Sequence, residues 1–91
     1  MQYLLIRQQF KNYETWRNAF DSLSERRSAG GMRTLLITRN ADNPNEAVVL
    51  IECANAAEVA KHYASEALKD AHERGGVIEG STQITVLLPA Q

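Results

Sequence analysis

Apolar residues recur along this chain in two rhythms. Residues 3–9 combine aromatic and branched side chains without a breaker, which predicts a first strand. Tyr13, Trp16, Phe20 and Leu23 then return at helical spacing, the apolar stripe of an amphipathic helix. Asn12 is placed to cap that helix and Glu14 sits in its first turn. Arg26 and Arg27 suit its carboxyl end, and Gly30-Gly31 stop it. Two further strands, Met32–Arg39 and Glu46–Cys53, flank the turn-forming residues 40–45 and so predict a hairpin. Asn55 with Glu58 three residues on resembles a capping box, and the helix it opens carries Val59, Ala60 and Tyr63 on its apolar side. Ser65 is placed to interrupt that helix and recap a second segment bearing Leu68 and Ala71, which Gly75-Gly76 end. Residues 82–88 predict a fourth strand, closed by Pro89.

The order is β-α-β-β-α-β, an α+β, ferredoxin-like arrangement in one domain spanning residues 1–91. Right-handed crossovers put both helices on one face of a four-stranded antiparallel sheet. The other face of a monomer should then be polar, yet both phases of the strands are apolar. One set holds Met32, Leu36, Ala47, Val49, Ile51, Ile84, Val86 and Leu88; the other holds Leu35, Ile37, Val48, Leu50 and Leu87. The first strand gives Leu5 to one set and Leu4 with Ile6 to the other. Around the second set stand Gln8, Arg33, Arg39, Glu46 and Glu52, and an apolar centre with a charged rim is how an interface looks. The expectation is a homodimer through this face, with Arg39 and Glu52 placed to pair across it. Which set meets the helices rests on the charges alone.

Composition narrows the possibilities further. The 10 basic and 11 acidic residues give a net charge of -1, with no basic block, which argues against nucleic-acid partners. The opening apolar stretch ends at Arg7 and no run approaches the length of a membrane span, so no membrane partner and a cytoplasmic setting are expected. One cysteine, Cys53, excludes an internal disulfide framework. It reads as buried and inert, because nothing in the sequence brings a base to it. Two histidines and one cysteine at scattered spacing fit no zinc pattern, and there is no phosphate-cradling glycine motif; no metal and no cofactor are expected.

The segment Asp42-Asn43-Pro44-Asn45-Glu46-Ala47-Val48-Val49-Leu50-Ile51-Glu52, followed by Ser65-Glu66-Ala67-Leu68-Lys69-Asp70-Ala71-His72, resembles the dimeric α/β-barrel superfamily that includes the antibiotic biosynthesis monooxygenase-like proteins. The resemblance covers nearly the whole chain, and its motifs are mostly structural. It implies two sheets meeting face to face across a two-fold axis, and a small-molecule cavity between each sheet and its own helices. Haem-degrading members carry a Trp and a His on the second helix and an Asn on the first strand. Here His72 matches the histidine, but His62 stands at the Trp position and the first strand offers Arg7, Gln8 and Gln9. Those departures argue against haem degradation.

His72 is the candidate catalytic residue, since an imidazole titrates near neutrality and can relay protons. A position near a helix carboxyl end also suits a histidine for electrostatic reasons alone. Tyr13, Trp16, Phe20, Tyr63 and Leu68 are the candidate ligand-binding residues, and the same aromatic stripe would serve equally as plain core. The functional expectation is a homodimer binding a small, fairly apolar or aromatic molecule between sheet and helices. The alternative is a cofactor-independent monooxygenase or isomerase acting on an aromatic, polyketide-like substrate.

Overall fold

The computed structural model describes residues 1–54, 59, 61–62 and 65–90. In chain order it contains β1 (Gln2–Gln9), α1 (Tyr13–Asp21), α2 (Ser24–Ala29), β2 (Met32–Arg39), β3 (Glu46–Cys53), α3 (Glu66–Arg74) and β4 (Gln83–Leu87). Val59, Lys61 and His62 are helical as well. The capping box at Asn55 and Glu58, and Tyr63, lie outside the described residues. The four strands form one antiparallel sheet in the order β2-β3-β1-β4, the ferredoxin-like topology expected from the element order.

Local chemistry fixes where these elements start and stop. The Asn12 side chain accepts from Thr15 N at 3.0 Å, and Ser65 does the same for Leu68 N at 3.2 Å, so both caps read from the sequence are made. The first helix is broken, where the sequence read as continuous to Arg27. Ser22 Oγ donates to Ala19 O at 2.6 Å and Leu23 N to Phe20 O at 3.2 Å, tightening the chain out of α geometry. The Phe20 carbonyl also accepts from Arg27 Nη1 at 2.9 Å, which draws that guanidinium inside. At the far end of α3, Gly76 takes a φ of +67°, and a Cβ on Gly75 would stand only 3.1 Å from that of Ala19, so α1 and α3 meet over a glycine.

The core lies between the sheet and the helices. Leu4, Ile6, Ala47, Val49, Ile51, Cys53 and Met32 point into it from the strands, and Phe10, Trp16 and Val59 close it. Leu4 pairs with Ile51, Ile6 with Val49 and Gln8 with Ala47, so Gln8 faces the helices and is not on the rim of the open face. A β-bulge between Thr34 and Leu36 corrects the second strand in the same way. Leu35 is the extra residue, Leu36 pairs with Leu50 on the open face, and Ile37 pairs with Val49 on the helix side. The bulge thus turns Ile37 and Arg39 away from the face to which simple alternation assigned them. Ile37 packs against the core, and Arg39 lies over the Tyr13 ring at 4.4 Å. Glu52 meets Arg33 of its own chain at 3.9 Å.

Candidate functional site

Three aromatic rings stack along the inner side of α1. Trp16 lies 5.5 Å from Phe10 at 22° and 5.1 Å from Phe20 at 25°. Arg27 covers the outer face of Phe20, with its Cζ 3.8 Å from the ring centroid. Tyr13 touches Phe10 and Trp16, but its hydroxyl accepts from Arg17 at 3.2 Å and it does not border the cavity described next. Tyr13 is therefore part of the core edge, whereas Trp16, Phe20 and Leu68 do line the space between sheet and helices.

That space is small. It offers about 40 Å³ to the centres of water-sized molecules, enough for a few waters and not for an aromatic ring. Its walls are mostly aliphatic and aromatic, but four polar side chains reach it: Gln8, Arg27, His62 and His72. Three of them, Gln8, Arg27 and His62, are buried, and no sequence pattern had singled out Gln8 or Arg27 for this place. Gln8 carried a readable signal all the same. It falls two residues after Ile6 and four after Leu4, in the inward phase of β1, where an amide must find partners.

It finds three. Trp16 Nε1–H donates to Gln8 Oε1 at 3.0 Å. Gln8 Nε2 lies 2.9 Å from His72 Nε2 and donates to Thr82 Oγ1 at 3.2 Å. An indole N–H can only donate, so it fixes which end of the amide is oxygen. The amide nitrogen must then face the imidazole, and His72 Nε2 must accept. His72 is consequently neutral, with its proton on Nδ1. Burial also pushes the His72 pKa below the usual histidine value. His62 is lowered too, first by burial and then by the nearby Arg27, Arg26 and His72.

Both shifts have the same consequence for stability. The unfolded chain takes up protons near the ordinary histidine pKa of about 6.5, before the folded chain does. Stability that is fully present above that pH is therefore lost as the pH falls through and below it. The urea midpoint should drop between pH 7.5 and pH 5.5. His62→Gln together with His72→Gln should flatten that slope. A wild-type midpoint that holds or rises on acidification would contradict the assignment of two neutral histidines.

Among the described residues no cluster of His, Cys, Asp and Glu could hold a metal ion, and no helix is long and apolar enough to cross a membrane. Cys53 is a buried thiol.

No family model matches the chain, and no curated protein matches it. Solved structures do. A provisionally named antibiotic biosynthesis monooxygenase from Caulobacter crescentus superposes with a TM-score of 0.76 at 17% identity, over 99% of this chain and 90% of its own. One from Nitrosomonas europaea gives 0.72 at 14% identity, with both chains covered in full. The chain has the antibiotic biosynthesis monooxygenase-like fold. A provisionally named monooxygenase from Lactobacillus acidophilus matches at 0.71 and 25% identity, over 96% of this chain and 43% of its own, so this chain spans less than half of that one. Identities of this size carry the fold and not the reaction. In this fold the present chain closes the space between its sheet and helices with the Trp16, Gln8 and His72 network.

Proposed function

We propose that this protein binds a small, fairly apolar or aromatic molecule between its sheet and helices, as a cytoplasmic homodimer joined through the open sheet face. The buried Gln8 amide carries this reading. A polar group in an otherwise oily wall costs stability unless it is satisfied, and here it is satisfied by the one indole and by an imidazole that borders the outside. The enclosed space holds only a few waters as it stands, so the ligand sits at its outer edge beside His72 or widens the space on entry. Dimer formation is supported by the uncovered leucines of the open face, Leu35, Leu36 and Leu87, beside Leu5, Val48 and Leu50.

Trp16 is the only tryptophan, so its emission reports on the site directly. A panel of phenols, quinols and aromatic ketones should contain members that change this emission saturably. A panel that gives neither an emission change nor turnover would overturn the proposal.

A second reading, a cofactor-independent monooxygenase or isomerase, draws support from the neutral imidazole of His72 at the cavity wall, whose one basic nitrogen, Nε2, would take a proton once the Gln8 amide moves off it. It expects His72→Ala to abolish turnover while leaving affinity within a few fold. The binding reading expects no turnover to lose.

A further inference from the structure

Three spaces meet at one side chain. His72 borders the inner cavity of about 40 Å³ and also two outer hollows, of about 400 and 410 Å³, between α3 and β4. Among the described residues no other borders all three. The imidazole is thus the partition between the enclosed space and the outside. The backbone beneath it is held, because Val77 N donates to His72 O at 3.0 Å and Gly75 N to Ala71 O at 2.8 Å. Movement at this point is therefore rotation of the side chain.

The hydrogen bonds that shut the partition admit one protonation state. Gln8 Nε2 uses its two hydrogens on His72 Nε2 and Thr82 Oγ1, and Gln8 Oε1 takes the Trp16 indole N–H. A proton on His72 Nε2 sets an N–H against the amide N–H across 2.9 Å. Turning the ring over leaves the conflict in place, since both nitrogens of an imidazolium are donors. Turning the amide over moves the conflict to Trp16, whose N–H then meets the amide nitrogen across 3.0 Å. The indole is 3% exposed, so it cannot exchange its bond for water, whereas the imidazole already borders the outside. The imidazole is the partner that yields.

The charges around it give the direction. On the inner side stand Arg27 of α2 and His62 of the helical residues ahead of α3, and neither favours another positive charge between them. The groups that reach the ring from β1, α1 and the start of β4 are Gln8, Trp16 and Thr82, all uncharged. On the outer side stand Glu66, Lys69 and Glu73 of α3 and Glu79 of the turn before β4, an excess of negative charge. An imidazolium is drawn outward.

We propose that His72 is a proton-operated gate: on protonation its side chain rotates toward the hollows between α3 and β4 and opens the inner cavity to water, and on deprotonation the Gln8 amide holds it shut. The gate stands apart from the small-ligand reading, since water alone passes through it. Gln8 is the positioning residue that sets the sign of the response. A carboxylate in its place accepts from the indole and from an imidazolium alike, so it keeps the gate shut in acid.

NMR of the full chain, titrated from about pH 7.5 to about pH 5, spans the ordinary histidine value and the range below it. The His72 ring nitrogens report its charge, the backbone amide spectrum reports the fold, and exchange of Trp16 Nε1–H with water reports access to the inner cavity. Exchange is taken as the ratio to His72→Gln at the same pH, which cancels the intrinsic pH dependence of exchange. A glutamine there offers Gln8 an oxygen at every pH. The ratio should rise several fold, with a midpoint that coincides with the His72 titration, while the amide spectrum stays native. Gln8→Glu should move the His72 titration to higher pH and keep exchange at the level of His72→Gln throughout. A ratio that stays flat while His72 takes up its proton overturns the gate. So does a rise that comes only with loss of the native spectrum, or an imidazole still neutral at the acid end. Opening of Gln8→Glu at the same pH as the wild type overturns the role of the amide. The comparison of wild type with His72→Gln decides the gate even where Gln8→Glu does not fold.

Discussion

Trp16→Ala should destabilise the fold by about 3–5 kcal/mol, as truncation of a buried tryptophan does. The indole is only 3% exposed, and it is the middle ring of the stack between Phe10 and Phe20. Its loss leaves a void against both rings and strips Gln8 Oε1 of its donor. A native domain has only about 5–15 kcal/mol of stability in all, so this single change removes a large part of it. Trp16→Phe separates the two contributions. It keeps most of the stack and loses the N–H, which leaves a buried carbonyl oxygen unpaired at a cost of about 1–3 kcal/mol. Urea unfolding at one protein concentration checks both values, and equal damage from the two variants would mean that the ring surface contributes little. Trp16→Phe also frees the Gln8 amide to turn its oxygen toward His72. The imidazole can then be protonated on Nε2, so it should titrate at higher pH than in the wild type, which an NMR titration reads directly.

Most of the fold is legible in the sequence because its signals are local. The Asn12 and Ser65 caps, the glycine stops and the hairpin around residues 40–45 each depend on neighbours a few positions away. The errors arise where a contact distant in sequence or a one-residue irregularity decides. The bulge at Leu35 shifts the phase of β2, so Ile37 and Arg39 go inward and Leu36 goes outward. Nothing in a Leu-Leu-Ile run marks which residue is the extra one. The break between α1 and α2 was partly visible, since Ser22 and Ser24 both compete for backbone groups, but the burial of Arg27 depends on a carbonyl that only the broken helix frees. The candidate site divides along the same line. Trp16, Phe20, Leu68 and His72 meet at one cavity, because helical periodicity identified the inward faces of α1 and α3. Tyr13 shares that periodicity, yet it sits one turn too early and ends at the core edge under Arg39. Gln8 was misassigned because a polar residue was read as outward, when its phase on β1 already placed it with Leu4 and Ile6.

Leu50→Arg should convert a dimer into a folded monomer. Leu50 stands in the middle of the open face, opposite Leu5 on one side and Leu36 on the other. Full burial of one such side chain is worth on the order of 1.5–3 kcal/mol as a gross transfer term, and the same residue would be buried in both copies. An arginine there loses that gain and must also bring an unpaired guanidinium out of water. The expected loss of association is therefore at least about 100-fold, from two sites each losing more than 1.4 kcal/mol. Sedimentation at micromolar concentration should give a two-chain particle for the wild type and a particle near 10.2 kDa for the variant. Far-ultraviolet circular dichroism should confirm that the variant remains folded. Arg33→Ala is the control at the rim. Its contact with Glu52 is 3.9 Å long and the arginine is mostly exposed, so its loss should change association by less than about 1 kcal/mol. A folded wild-type chain that sediments as a monomer would remove the physical reason for two-sided apolar strands in this sheet. It would also leave Leu5, Leu36 and Leu50 in need of a different partner.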